Sequence, residues 1–128
     1  MKTILIDAVN TFVIKNHGIF KEMLDLLEQY PNKKIIVTNA EDNEIKIFGL
    51  DKMPYEVFTL KHDPNKTDPK YFDILLNKYG LKAEDVLYFE HNQDAVKSAK
   101  MAGINVFHYN HEKMDLTELK KFLDKSIS

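Results

Sequence analysis

Short apolar runs alternate with helical patterns along the whole chain, and this alternation constrains the fold more than any other feature. The runs that are typical of buried strands lie at residues 3–6, 35–37, 57–60, 86–89 and 104–107. Apolar residues between and after them recur at the spacing of one helix face. Such alternation indicates strands that run parallel in one sheet, with helices packed on both faces. We therefore predict an α/β fold with three layers, Rossmann-like, built on a mostly parallel five-stranded sheet.

The predicted helix boundaries agree with this alternation. The Asp68–Pro69 pair is typical of a helix start, and Asn92 can cap the next helix. Gly80 and Gly103 stand where these two helices should end. The loops are short, and the sequence contains no internal repeat, linker or low-complexity tract. We expect residues 1–128 to form a single core domain without an inserted cap domain.

The composition excludes several classes of function. The net charge is −2, which gives no electrostatic reason to expect nucleic acid or an anionic membrane surface as a partner. The absence of Cys excludes disulfides, thiol catalysis and zinc–cysteine sites. The chain also lacks Arg, so a bound anion that pairs with a permanently cationic side chain must pair with Lys. No apolar run approaches the ~18 residues of a membrane span, and Asp7 interrupts the N-terminal run, so we expect no signal peptide and a cytoplasmic location.

Polar residues follow three of the predicted strands. Directly after the first, second and fourth runs come Asp7, Thr38 and Glu90, while Lys66 lies in a loop before a helix and Asp94 begins another helix. Because ligands bind at the carboxyl ends of parallel strands, we expect these five residues to share one crevice. Three carboxylates repel each other unless a cation neutralises them, and Mg²⁺ prefers such oxygen ligands. The Thr38 hydroxyl, the Lys66 ammonium and helix-start N–H groups suit a bound phosphate.

Each of these residues also has an ordinary interpretation. Asp7 and Thr38 can cap a turn or a helix. Lys66 can be a solvated loop lysine, and Asp94 can be a first-turn acid that the helix dipole favours. Four histidines lie on different loops without the spacing of metal ligands, and we interpret them as solvated or hydrogen-bonded: His62, His91, His108 and His111. Only the combination of a nucleophile, a metal site, hydrogen-bond donors and a cation indicates phosphoryl transfer.

Four stretches of the sequence resemble the motifs of the haloacid dehalogenase (HAD) superfamily of phosphohydrolases. They are DAVNT at residues 7–11, VTN at 37–39, KTDPKYF at 66–72 and LYFEHNQD at 87–94, the last followed by AKMAG at 99–103. Each motif alone is weakly specific. All four occur in the family's order and at predicted strand ends, and the resemblance covers nearly the whole chain.

The resemblance implies a role for each matching residue. Asp7 stands in the place of the catalytic nucleophile, and Thr11 matches the threonine that follows it. The second motif implies that Thr38 and Asn39 bind the phosphoryl group of the substrate. Lys66 matches the lysine that stabilises charge at the same group, so Asp7, Thr38 and Lys66 are the expected catalytic residues.

The metal site is where the sequence departs from the family. The resemblance implies a Mg²⁺ cofactor whose ligands are Asp7, the Val9 carbonyl, Glu90 and Asp94. Val9, however, occupies the position of the family's general acid and base, and its side chain cannot transfer a proton. Glu90 is one methylene longer than the usual aspartate, and Phe89 replaces the glycine that usually precedes it.

Two other branches of the family are disfavoured by composition and length. The dehalogenases also lack an acid at the position of Val9, but they bind the halide with an arginine that this chain does not have. The phosphonate-cleaving branch needs a Schiff-base lysine on an inserted cap. The two segments that could hold a cap, residues 12–18 and 40–56, are too short for one.

Two functions from different classes follow from these residues. The first is a Mg²⁺-dependent phosphohydrolase that acts through a phosphoaspartate at Asp7, with low activity because Val9 replaces the general acid. The second is a catalytically inactive HAD-like module with a binding or regulatory role. The matching motif residues favour the hydrolase, whereas Val9, Phe89 and Glu90 favour the inactive module. An open site without a cap suits a large phosphorylated substrate, or a homo-oligomer in which a neighbouring subunit covers the mouth.

Overall fold

A five-stranded sheet forms the centre of the structure, a computed structural model that describes residues 1–127. The strands are β1 (Thr3–Asp7), β2 (Val13–Ile14), β3 (Gly18–Ile19), β4 (Lys34–Thr38), β5 (Glu56–Thr59), β6 (Val86–Glu90) and β7 (Asn105–His108). The helices are α1 (Lys21–Leu27), α2 (Asp42–Ile47), α3 (Lys70–Tyr79), α4 (Gln93–Met101) and α5 (Thr117–Ser126). The order in the main sheet is β5-β4-β1-β6-β7, and every neighbouring pair is parallel. The predicted α/β fold with a parallel five-stranded sheet is confirmed.

Helices cover both faces of the sheet because consecutive side chains of each strand point to opposite sides. On one face, Ile4 and Ile6 of β1 pack with the apolar sides of α1 and α5. On the other face, Leu5 packs with the apolar sides of α3 and α4. All three side chains are fully buried, and burial of each contributes roughly 1.5–3 kcal/mol. This packing on both faces fixes the central strand and its last residue, Asp7.

The register of the sheet brings the ends of β1, β4 and β6 together. Asp7 lies opposite Val37 of β4, and Ile6 lies opposite Phe89 of β6. Thr38 and Glu90 are the next residues along β4 and β6. Both therefore lie beside the end of β1, at the carboxyl edge of the sheet.

The two segments that could hold a cap contain only small elements. Residues 12–18 lead into the antiparallel hairpin of β2 and β3, which follows a turn at Asn10. Asn10 has a φ of 71°, a left-handed conformation that Asn adopts more readily than most residues. Residues 40–56 contain α2 and a 3₁₀ turn at Leu50–Lys52. A strand of two residues shows no alternation, which is why the sequence did not predict the hairpin.

Local side-chain contacts explain where two of the helices begin. The Asn92 Oδ1 accepts hydrogen bonds from the amides of Asp94 and Ala95, at 2.9 and 3.1 Å, and so caps α4 as predicted. The Asp68 Oδ1 accepts from the amide of Lys70, the first residue of α3, at 3.0 Å.

Within residues 1–127, no helix has the length and apolar character that crossing a membrane requires.

Candidate functional site

A pocket of about 490 Å³ lies at the carboxyl ends of β1, β4 and β6. The predicted site residues that line it are Asp7, Val9, Thr38, Asn39, Lys66 and Glu90. Asp94 lies outside this lining, with an exposed side chain in the first turn of α4. Ala95 and Val96, the next two residues, take the buried side of that helix, and Asp94 therefore turns to solvent. The structure brings the other predicted residues together but not Asp94.

Asp7 is a buried part of this lining, with only 2 % of its surface exposed. The Lys66 Nζ donates to its Oδ1 at 2.7 Å. The Oδ2 accepts from the Thr11 hydroxyl at 2.7 Å and lies 2.5 Å from the His91 Nδ1. Burial alone would raise the pKa of Asp7, but the Lys66 charge and the His91 hydrogen bond outweigh it and hold the pKa well below its usual range. Asp7 is therefore an ionised carboxylate at neutral pH.

Lys66 bridges two buried carboxylates. Its Nζ lies 2.7 Å from the Glu90 Oε1 as well as 2.7 Å from the Asp7 Oδ1. Burial disfavours the ammonium, but the charges of Asp7 and Glu90 outweigh this effect and raise the pKa of Lys66 above its usual value. The Asn39 Oδ1 accepts from the Lys66 amide at 2.8 Å and so holds the loop that carries the lysine. Lys66 is thus an internal cation rather than a solvated loop lysine.

Glu90 is fully buried at the end of β6. Its Oε1 accepts from Lys66 and from the hydroxyl of Tyr88, which lies two residues earlier and hence on the same face of the strand. Its Oε2 accepts from the Asn92 amide at 3.0 Å. Burial and the neighbouring Asp7 charge raise the pKa of Glu90 to about 7, although Lys66 opposes the shift.

His91 is a member of the site that sequence reasoning missed. Its Nδ1 lies 2.5 Å from the Asp7 Oδ2 and 3.4 Å from the Glu90 Oε2. Because an ionised carboxylate can only accept, the Nδ1 carries a hydrogen and donates it to Asp7. Burial disfavours the charged ring, but this hydrogen bond outweighs it and raises the pKa of His91. The available signal was its position directly after Glu90, at the end of a strand beside β1.

Thr38 places a hydroxyl in the lining of the pocket. Its Oγ1 accepts from the Ala40 amide at 3.2 Å, and this bond leaves the hydroxyl hydrogen to donate to a ligand. The Tyr71 hydroxyl accepts from the Thr38 amide at 3.1 Å and donates to the Thr38 carbonyl at 2.8 Å. Tyr71 therefore fixes the end of β4, a positioning role that its place in the third motif did not indicate.

Comparison with known proteins identifies the fold. No protein-family model matches the chain, and no curated protein matches its sequence. A HAD-family enzyme from Bacteroides thetaiotaomicron, a variant solved in complex with magnesium and inorganic phosphate, has a TM-score of 0.76 at 12% identity over 93% of this chain and 98% of its own. The core domain of a candidate phosphoglycolate phosphatase from Streptococcus pneumoniae has a TM-score of 0.65 at 18% identity over 96% and 95%. This chain has a HAD-like fold.

A third solved structure agrees with this assignment. It is a HAD-superfamily hydrolase from Geobacter sulfurreducens, with a TM-score of 0.65 at 12% identity over 85% of this chain and 89% of its own. The HAD-like fold that the four motifs predicted is therefore confirmed. At these identities the likeness establishes the fold, and the chemistry has to be argued from the residues of this chain.

Mg²⁺ fits the described residues of this HAD-like chain poorly. The ion needs an octahedral set of oxygen ligands. Each of the four carboxylate oxygens of Asp7 and Glu90 already accepts a hydrogen bond. Within residues 1–127, the group around Asp7 whose ligand atoms lie within 4.8 Å of one another consists of Asp7, Glu90 and His91. Since the His91 Nδ1 donates to Asp7, this nitrogen has no lone pair for a metal, and among residues 1–127 no third acid joins the group.

Proposed function

We propose that this chain is a HAD-like phosphohydrolase of low activity and that Asp7 is its nucleophile. The observation that carries the proposal is the Asp7–Lys66 pair, a carboxylate and an ammonium 2.7 Å apart in a pocket at the carboxyl edge of a parallel sheet. The Thr38 hydroxyl adds a donor for a phosphoryl oxygen. The fold neighbours described as a phosphatase and a hydrolase support this reaction class. The substrate class is accordingly a phosphorylated molecule.

The Asp7 Oδ1 is the oxygen better placed to attack. The Oδ2 accepts hydrogen bonds from Thr11 and His91, whereas the Oδ1 accepts one from Lys66 and keeps a lone pair. In the first step the Oδ1 forms a bond to phosphorus, and the bond from phosphorus to the leaving oxygen breaks with its electron pair on the leaving group. Lys66 and Thr38 stabilise the negative charge on the transferring phosphoryl group.

Water completes the reaction in a second step. It attacks phosphorus, and the bond from phosphorus to Asp7 breaks. Inorganic phosphate leaves, and the free Asp7 carboxylate is regenerated. Since Val9 cannot move a proton, the attacking water gives its proton to solvent and the leaving group takes one from solvent. Aryl and acyl phosphates, whose leaving groups need no proton, should therefore react faster than alkyl phosphates. Because the donor set does not fit Mg²⁺, no step of this proposal uses a metal ion.

A second candidate function is a non-catalytic module that binds a phosphorylated ligand. It is favoured by the apolar side chain of Val9 and by the hydrogen bonds that engage every carboxylate oxygen of Asp7 and Glu90. In that case the ion pairs hold the pocket in shape and no phosphoryl group is transferred. For either function, we propose that the ligand is large, or that a second subunit covers the pocket in a homo-oligomer.

The two functions are separated by hydrolysis assays with an acyl, an aryl and an alkyl phosphate. We expect the wild type to release phosphate from the acyl and aryl phosphates and Asp7→Asn to release none. Asp25→Asn, which makes the same change at an exposed site on α1, should release as much as the wild type. Mass spectrometry of acid-quenched protein should show one added phosphoryl group in the wild type only. Release that persists in Asp7→Asn would contradict the nucleophile, and no release with no phosphoenzyme would favour the binding module.

A further inference from the structure

We propose that the His91 ring takes the place of a divalent cation in this site, so that the pocket is used without bound Mg²⁺. The His91 Nδ1 faces both carboxylates that a metal would need, at 2.5 Å from the Asp7 Oδ2 and 3.4 Å from the Glu90 Oε2. The nature of the anionic ligand rests on the proposed function. The replacement of the cation does not, because it follows from contacts among the chain's own residues.

Lys66 and His91 divide the two carboxylates between them. Lys66 donates to the Asp7 Oδ1 and the Glu90 Oε1, both at 2.7 Å. His91 faces the other oxygen of each pair, and the Asn92 amide donates to the same Glu90 oxygen at 3.0 Å. Two carboxylates without partners would repel and attract a cation. Thr11 and His91 both donate to the Asp7 Oδ2, so an incoming metal ion would have to displace His91 before it could bind that oxygen.

Contacts from three segments hold His91 in place, two through its backbone and one through its ring. Its backbone amide lies 3.3 Å from the Asp7 Oδ2, at the end of β1. Its carbonyl accepts from the His108 Nε2 at 2.9 Å, at the end of β7. Its ring packs edge-on against the ring of His111, with 4.7 Å between centroids. Displacement of the ring would therefore lose the packing against His111 in addition to the hydrogen bond to Asp7.

We expect His91 to block metal binding and a carboxylate in its place to permit metal binding. Mg²⁺ titration by calorimetry should detect no binding at the pocket of the wild type. His91→Asp adds a third carboxylate beside Asp7 and Glu90, and it should raise the Mg²⁺ affinity by roughly tenfold or more, because ligand charge sets affinity at such sites. His17→Asp, which makes the same substitution on an exposed residue of the β2–β3 turn, should bind no better than the wild type.

A measurement on the wild type alone covers the case in which His91→Asp does not fold. In amide and imidazole NMR spectra, addition of Mg²⁺ or Mn²⁺ should leave the Asp7 and His91 signals unchanged and unbroadened. Wild-type binding of either ion that disappears in Asp7→Asn would overturn the proposal, as would a folded His91→Asp that binds no more tightly than the wild type. These results concern ion binding alone, and an absence of phosphate hydrolysis would not alter them.

Discussion

The inner and outer sides of the Asp7 cluster differ in what they contribute. The inner side consists of Lys66, Glu90 and Tyr88, and the Lys66 and Glu90 side chains are 8% and 0% exposed. The outer side consists of Val9 and His91, and the His91 side chain is 20% exposed. A buried carboxylate needs a charged or hydrogen-bonding partner wherever it lies in a fold. The inner side therefore has a structural role, whether or not the pocket is catalytic. In the proposed function and the further inference, proton transfer depends on Val9 and cation binding on His91, both on the outer side.

Replacement of Lys66 should give the largest effect and tests the structural role of the inner side. Lys66→Met leaves two buried carboxylates without their shared cation, and we expect the free energy of unfolding to fall by about 3–5 kcal/mol. Urea unfolding followed by circular dichroism measures this. Lys61→Met is the matched control, because Lys61 pairs with Asp42 at an exposed site and should cost less than about 1 kcal/mol. Equal losses in the two variants would show that the inner pairs are not structural.

The pH dependence of stability should give the next largest effect, and Glu90 is its main source. Its pKa is about 7 in the folded chain against an ordinary value of 4.5, so its proton binds more tightly to the folded state. The stabilisation that this proton contributes is fully present below the pKa of Glu90 in the unfolded chain. It is lost as the pH rises through the pKa of Glu90 in the folded chain. The raised pKa of His91 also makes the free energy of unfolding fall as the pH rises. The lowered pKa of Asp7 affects this free energy only in more acidic solution.

The expected outcome is a free energy of unfolding that falls by roughly 1–3 kcal/mol from about pH 5 to about pH 8. Urea titrations across that interval measure it. Glu90→Gln removes the titrating group and should flatten most of the slope. A wild-type stability that rises over the same interval would contradict the assignment.

Part of the site could be predicted from the sequence and part could not. Asp7, Thr38 and Glu90 each end an apolar run, and a parallel sheet must bring such ends to one edge, so their proximity followed from the order of the elements. The position of Asp94 did not follow, because it depends on the rotational phase of α4. Nor did the role of His91, because its partner Asp7 is 84 positions away along the chain and no spacing rule links them.

Tyr71 tests how far the inner side extends beyond the ion pairs. Tyr71→Phe removes the hydroxyl that pairs with both the amide and the carbonyl of Thr38, and these buried groups lose a partner. We expect a loss of roughly 1–2 kcal/mol in the free energy of unfolding, measured by urea titration. Tyr79→Phe removes a hydroxyl that pairs with Glu56 at an exposed site and should cost less. If the two variants are equally stable, Tyr71 does not fix the end of β4.

Val9→Asp should give the smallest effect on stability and is the sharpest test of the outer side. The position is only partly buried and borders the pocket, so we expect the free energy of unfolding to change by less than about 1 kcal/mol. The new carboxyl group can protonate a leaving group and activate water, but it acts in a site whose donor set does not fit Mg²⁺. We therefore expect hydrolysis of an alkyl phosphate to rise by up to about tenfold, or about 1.4 kcal/mol of barrier, and hydrolysis of an aryl phosphate to rise less.

Steady-state rates for one substrate of each kind, with Val9→Asn as the matched control without an acid, measure the difference. Equal gains on both substrates, or equal gains in Val9→Asp and Val9→Asn, would show that the missing proton donor at Val9 does not limit the rate.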